Sequence, residues 1–159
     1  MWRRWFSLPF AALVVIADQL TKLWIRANLL PGESLPEIGN LTITHIQNTG
    51  ASFGLFPNQT ILLTVIAIAG LVVILFFFRY LPQSILSSVT LGLIIGGDLG
   101  NLTDRIRLGQ VTDFIYVRLW NDVYWPAFNI ADSAISVGVI ALAIFLLVGF
   151  KKKDDQPSR

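Results

Sequence analysis

The chain contains no cysteine and a single histidine, His45, in 159 residues. The first absence excludes disulfides, a thiolate nucleophile and zinc sites of the cysteine type. The second leaves any metal site dependent on carboxylates and any Ser-His-Asp arrangement dependent on one ring. Neither a metal nor a cofactor is expected. Charge is scarce as well: charged residues make up 14% of the chain against 54% hydrophobic, with a formal net charge of +2. A surplus so small and so clustered does not suit nucleic acid as a partner, and its clusters serve as topology signals instead.

What the chain has in quantity is apolar residues in long runs, the pattern of an integral membrane protein. Residues 5–17 follow Arg3 and Arg4 and have the form of a secretory signal peptide, with Val15-Ile16-Ala17 as a small-residue cleavage site. Against that reading, helical apolar spacing continues past Asp18 to a stop at Pro31-Gly32, so one helix over about residues 5–30 is expected to span the bilayer. Residues 31–59 change character. Leu41-Thr42-Ile43-Thr44-His45 alternates with period two, and Asn48-Thr49-Gly50 reads as a turn, which predicts a small strand-containing element on the membrane surface. This segment has no Lys or Arg and is therefore placed outside the cytoplasm.

Residues 60–80 form a second expected span, featureless and suited to facing lipid, and Leu81-Pro82-Gln83 makes a tight connection. A third span is expected over 84–105 and a fourth over 128–150, ended by Lys151-Lys152-Lys153 and a polar tail. Arg3, Arg4, Arg79 and the triple lysine then share one side, as four spans require. The expected fold is a single all-α membrane domain over residues 1–159, with four transmembrane helices and both termini cytoplasmic. It carries a small extracytoplasmic β-element and an interfacial flap or helix over 106–127, between spans three and four.

Charges inside spans are costly and are usually retained for function. At 1.5 Å per residue from the cytoplasmic ends, Asp18 lies roughly 20 Å along the first span, Asn101 roughly 25 Å along the third and Asp132 roughly 27 Å along the fourth. That common depth predicts a polar layer near the outer edge of the bilayer, and hence a shared site. Helical spacing groups Asp18 with Lys22, Gly97 with Asn101 and Arg105, and Asn129 with Asp132 and Ser136. Gly92, Gly96 and Gly100 form a small-residue ladder suited to close helix approach. Asp18 and Lys22 fit either an internal ion pair that orients the first helix or a direct substrate contact. Asn101 and Arg105 fit either inter-helix hydrogen bonding or a functional role.

Residues 106–127 mix Phe114, Tyr116, Trp120, Tyr124 and Trp125 with Arg107, Arg118 and Asp122. They read as an interfacial aromatic belt, or as a flap that covers the acids and receives a lipid-bearing substrate. Asp113 begins this segment and Asp132 lies one turn into the fourth span, so the two can meet. Two adjacent carboxyls share a proton, one staying a base while the other stays an acid. Such a pair can activate water and protonate a peptide carbonyl without metal, thiol or histidine. The same acids would also serve a proton or ion relay in a small transporter subunit, and a non-catalytic binding or assembly factor would need neither.

The succession DQLTK (18–22), NTGASFG (48–54), GGDLGNLTDR (96–105), VTDF (111–114) and FNIADS (128–133) resembles lipoprotein signal peptidase, the signal peptidase II family. The resemblance covers nearly the whole chain in order. It implies a four-helix bacterial inner-membrane aspartic endopeptidase with a small periplasmic sheet and a mobile periplasmic helix or flap. It implies hydrolysis of diacylglyceryl-modified prolipoproteins just before the lipidated cysteine, with prolipoprotein and membrane lipids as partners and a monomer sufficient. It places the catalytic dyad at Asp113 and Asp132, and substrate-binding or supporting positions at Asp18, Lys22, Asn48, Gly97, Asn101, Arg105 and Asn129. Asp98 departs from the family pattern, which more often has a small residue there. It would either face away from the site, pair with Arg105 or Arg107, or add a third carboxylate. Glu33, Glu37 and His45 match no catalytic position and are expected in solvated loops.

Overall fold

The computed structural model describes residues 6–51, 55–78, 84–121 and 123–154, with the side chains of the last helix described as far as 147. Arg3, Arg4, Arg79, the connection at 81–83, the part of the NTGASFG motif at 52–54, Asp122 and the polar tail at 155–159 lie outside the described residues. Four helices are long and apolar enough to cross a membrane, and the chain is a multi-pass membrane protein. They are α1 (Ser7–Asn28), α2 (Thr60–Phe78), α3 (Ile85–Leu108) and α4 (Ile130–Asp154).

The glycine-rich helix α3 lies at the centre, with α1 packed on one side and α4 on the other. Glycines make this possible. A Cβ at Gly92 would lie 2.8 Å from the Ser7 carbonyl oxygen and one at Gly96 2.7 Å from that of Ala11, so α1 rests directly on the α3 backbone. Helices in a bilayer gain most from such close packing, because lipid offers little hydrophobic drive between them. Helix α2 is different. Only Leu63 and Phe78 are buried along it, and most of its other described side chains are exposed, as suits a uniformly apolar helix facing lipid.

At the end of the bundle where α1 and α3 finish and α4 begins lies a three-stranded antiparallel sheet of order β1-β2-β3. Strand β1 (Leu41–Asn48) pairs with β2 (Val111–Trp120), which pairs with β3 (Val123–Phe128). The segment expected to form a flap or helix between spans three and four is therefore a β-hairpin, joined to the element expected from β1 alone. Its residues are β-branched and aromatic, which favours strands. Trp120 pairs with Val123, leaving a two-residue connection in which Asn121 takes φ 44°, a left-handed value that asparagine tolerates. Tyr116 and Tyr124 stack across the hairpin with ring centroids 4.5 Å apart.

The sheet is fastened to the helices by a small core of Ile25 from α1 and Leu29 just beyond its end with Phe114 from β2, bordered by Ile43, Ile115 and Ile130. Asp113 precedes Phe114, so this apolar anchor also holds the acid over the bundle. His45, expected in a solvated loop, is instead buried in β1, where its Nδ1 donates to the Leu29 carbonyl at 2.8 Å. Burial there follows from the chain at residues 32–35 folding back along β1: Gly32 N–H donates to the His45 carbonyl and His45 N–H to the Glu33 carbonyl.

Candidate active site

Helix α4 opens with a reciprocal cap. The Asp132 N–H donates to Asn129 Oδ1 at 2.9 Å, while the Asn129 N–H donates to Asp132 Oδ2 at 3.1 Å. Asparagine at the cap and an acid three residues later satisfy two backbone donors that would otherwise lack partners at a helix start. The same bonds fix the Asp132 carboxylate at the helix N-terminus, where the helix dipole favours negative charge. Its other oxygen, Oδ1, accepts from Asn101 Nδ2 of α3 at 2.7 Å.

Asp113 comes from β2, two residues after the strand begins. Asn48 at the end of β1 pairs with Val111, and on an antiparallel pair its side chain reaches the diagonal neighbour. Asn48 Nδ2 donates to Asp113 Oδ2 at 2.8 Å, and Asn129 Nδ2 donates to Asp113 Oδ1 at 2.7 Å. Asn129 thus touches both acids, one through its backbone and the other through its side chain. Burial pushes the Asp113 carboxyl up from 3.8 to about 7, reinforced by the Asp132 charge and opposed by the hydrogen bonds from Asn48 and Asn129. A carboxyl so placed holds or releases a proton near neutral pH, which suits acid-base work.

Beneath the two acids lies a buried ionic layer. Lys22 Nζ lies 2.9 Å from Asp18 Oδ2 and 3.3 Å from Asp104 Oδ2, and it donates to Asn101 Oδ1 at 2.9 Å. Asn129 Nδ2 also donates to Asn101 Oδ1, at 3.1 Å. With two donors on its oxygen, the Asn101 amide can only turn its nitrogen toward Asp132. Asp18 in turn accepts from the Ala131 N–H at 3.0 Å, binding α1 to the first turn of α4. Asp104 Oδ2 accepts from the Thr112 N–H at 3.1 Å, which fixes β2 immediately before Asp113. Gln19 bridges Asp18, Asp104 and the Gly100 carbonyl, while Arg26 Nη1 donates to Thr112 Oγ1 at 3.0 Å and lies 3.6 Å from Asp104.

Both acids line a cavity of about 160 Å³ together with Asn48, Asp98, Asn101 and Arg105. A cavity of about 360 Å³ adjoins on the Asp113 side, over Ile46, Thr49, Pro57 and Tyr116. Another of about 360 Å³ runs from Asp132 along Ser133, Ser136 and Val137 of α4. Pro126 and Ala127 of β3 border both. Among the described residues, no group of three His, Cys, Asp or Glu side chains is arranged to hold a metal ion.

The structure thus gathers Asp113, Asp132, Asn48, Asn101 and Arg105 around one space, with Asn129 fully buried and bonded to both acids. Asp18 and Lys22 are fully buried below it, which favours the internal ion pair over substrate contact. Gly97 contributes an absence: a Cβ there would lie 2.5 Å from the Ala131 carbonyl oxygen, so the bare backbone admits α4. Asp98 faces the cavity as a third carboxylate. Sequence reasoning missed Asp104, Gln19, Arg26 and Thr112. Asp104 carried a signal, since a buried acid in a span requires a cationic partner, and Lys22 supplies it.

A family model described as signal peptidase (SPase) II matches residues 10–148. A lipoprotein signal peptidase of Moorella thermoacetica is 43% identical over 155 residues, covering 94% of this chain and all of the relative. One from Dehalococcoides mccartyi is 44% identical over 142 residues, covering 86% of each chain. Among solved structures, a bacterial membrane enzyme determined in meso at 2.3 Å resolution superposes with a TM-score of 0.84 at 34% identity, covering 96% of this chain and 94% of its own. With the family model, the relatives and the fold all in agreement over nearly its whole length, the chain belongs to the signal peptidase II family.

Proposed function

We propose that the chain is an aspartic endopeptidase that removes the signal peptide from diacylglyceryl-modified prolipoproteins, cutting before the lipidated cysteine. The observation that carries this reading is the convergence of Asp113 and Asp132 on one cavity, tied together through Asn129. Membership of the signal peptidase II family, whose relatives carry the name lipoprotein signal peptidase, supports the substrate class.

Water held between the carboxyls loses a proton to one of them as its oxygen adds to the scissile carbonyl carbon. The partner carboxyl delivers a proton to the carbonyl oxygen, giving a neutral tetrahedral diol. Proton transfer to the amide nitrogen and cleavage of the C–N bond release the signal peptide as a carboxylic acid and the mature chain as a free amine. Low dielectric around buried Asp113 strengthens the coupling between the two groups. Asn48, Asn101 and Asn129 hold the carboxyls in register, and Arg105 holds the substrate beside them.

The chain is placed in the bacterial cytoplasmic membrane with both termini cytoplasmic and the sheet on the opposite side. The lack of Lys and Arg over residues 31–59 supports that orientation. A substrate tethered in the same bilayer reaches the acids laterally, its acyl chains remaining among membrane lipids. One copy of the chain carries every group the mechanism uses. A proton-relay reading lacks support: with the fourth span taken as Ile130–Leu147, the halves of the described spans remote from the sheet carry no charged residue.

Reconstituted in nanodiscs with a synthetic prolipoprotein, the protein is expected to cut only the diacylglyceryl-modified form, and mass spectrometry should place the cut immediately before the modified cysteine. Cleavage elsewhere, or equal cleavage of the unlipidated peptide, would overturn the assignment of substrate.

A further inference from the structure

On α3, Asp98, Asn101 and Arg105 follow at spacings of three and four and present one face to the cavity between the acids. The amide groups of that cavity are committed: Asn48 and Asn101 donate to Asp113 and Asp132. Asp98 is not committed in this way. Its Oδ2 is shut off from solvent and accepts no hydrogen bond, although Arg105 acts on the carboxylate electrostatically. A buried acceptor without a donor is costly and rare, and a structure that keeps one in a functional cavity leaves it open for a partner. Asp98 contributes nothing to the ties between helices, so packing gives no reason for its charge.

Resting on the proposed peptidase reading, we propose that Asp98 contacts the substrate, accepting a hydrogen bond from a main-chain N–H on the signal-peptide side of the scissile bond. Seven residues of helix separate Asp98 from Arg105, a rise of roughly 10 Å. Three residues of extended peptide also cover roughly 10 Å. The α3 face therefore offers an acceptor at one end and a donor at the other, matching the N–H and C=O groups of a strand laid along it. Asp98 lies one turn farther from the sheet than Asn101, so it meets the part of the substrate that continues into the bilayer. The acid thereby selects for an unsubstituted amide near the cut, and it disfavours proline at that position.

The test replaces, one at a time, the three amides preceding the scissile bond of a synthetic diacylglyceryl peptide by esters, and measures kcat/KM for wild type, Asp98→Ala and Asp98→Asn. One ester is expected to lower wild-type kcat/KM about tenfold or more. Asp98→Ala should lower cleavage of the parent peptide by a similar factor and become indifferent to that ester. Asp98→Asn, which keeps an acceptor oxygen, should retain part of the sensitivity. Losses that multiply independently for every ester, or an Asp98→Ala enzyme equal to wild type on the parent, would overturn the contact. A shift of the pH profile in both variants without coupling to any ester would overturn it too, leaving Asp98 as a distant charge. Thermal unfolding in detergent checks folding; should Asp98→Ala not fold, the Asp98→Asn comparison decides. Failure of folded wild type to cut the parent peptide would instead sink the peptidase reading itself.

Discussion

Asn129 Nδ2 donates to Asp113 Oδ1 at 2.7 Å, and the backbone of the same asparagine is locked to Asp132 by the reciprocal cap of α4. A single residue therefore sets the spacing of two acids that come from a strand and a helix. Asn129→Ala removes the cap, worth about 0.5–2 kcal/mol of stability. It also removes the side-chain donor to Asp113 Oδ1, while the backbone N–H that binds Asp132 remains, so cleavage should fall by more than tenfold, a loss larger than the change in stability accounts for. Thermal unfolding and kcat measured on one preparation separate the two effects. Unaltered kcat would mean that the asparagine only starts a helix.

The raised titration of Asp113 makes stability and activity depend on pH in a defined direction. Because burial moves the folded carboxyl from 3.8 to about 7, the folded protein retains a proton that the unfolded chain gives up. The resulting stabilisation is fully present below about 3.8 and is lost as pH rises through about 7. Comparing the unfolding temperatures of wild type and Asp113→Asn from pH 4 to 8, the variant should gain relative to wild type toward the alkaline end. The wild-type kcat/KM should fall over the same upper range as the pair loses its shared proton. A difference between the two proteins that is flat with pH would contradict the shift.

Lys22 offers a test of the ionic layer. It is fully buried between Asp18 and Asp104. Lys22→Met leaves two buried acids without that cation and should cost about 3–5 kcal/mol. Neutralising the nearer acid as well, in Lys22→Met/Asp18→Asn, should restore part of the loss. Equal stability of single and double variants in chemical unfolding would show that the layer is not coupled.

Gly97 tests close approach. An added methyl would meet the Ala131 carbonyl oxygen at 2.5 Å and Ile135 Cγ1 at 2.7 Å, both on α4. Gly97→Ala should cost about 1–3 kcal/mol by overpacking. Displacement of the first turn of α4 should also move Asp132 and depress kcat. A variant as stable and active as wild type would show that α4 yields without consequence.

The helices were legible because long apolar runs have few alternatives in a bilayer, and the acids were legible because charge inside a span demands a reason. The hairpin over 111–128 was not. The first four residues of β2 are all buried, because the strand is central to the sheet and rests on the helices, so the alternation that marks a half-exposed strand is missing. Its aromatic residues suit an interfacial belt equally well. The role of Asp104 is hidden in the sequence because it depends on Lys22, 82 positions away and met only through the packing of α1 on α3. The burial of His45 is not legible because nothing local in the sequence shows that the chain at residues 32–35 folds back over it.

The most direct test of the central claim is cleavage of a diacylglyceryl-modified prolipoprotein by Asp113→Asn and Asp132→Asn, each shown to be folded, beside wild type with and without EDTA. Each substitution preserves shape while removing the ability to exchange a proton. Loss of about a thousandfold or more in both variants, with wild type indifferent to EDTA, is the predicted result. Near-wild-type cleavage by either folded variant would contradict the dyad.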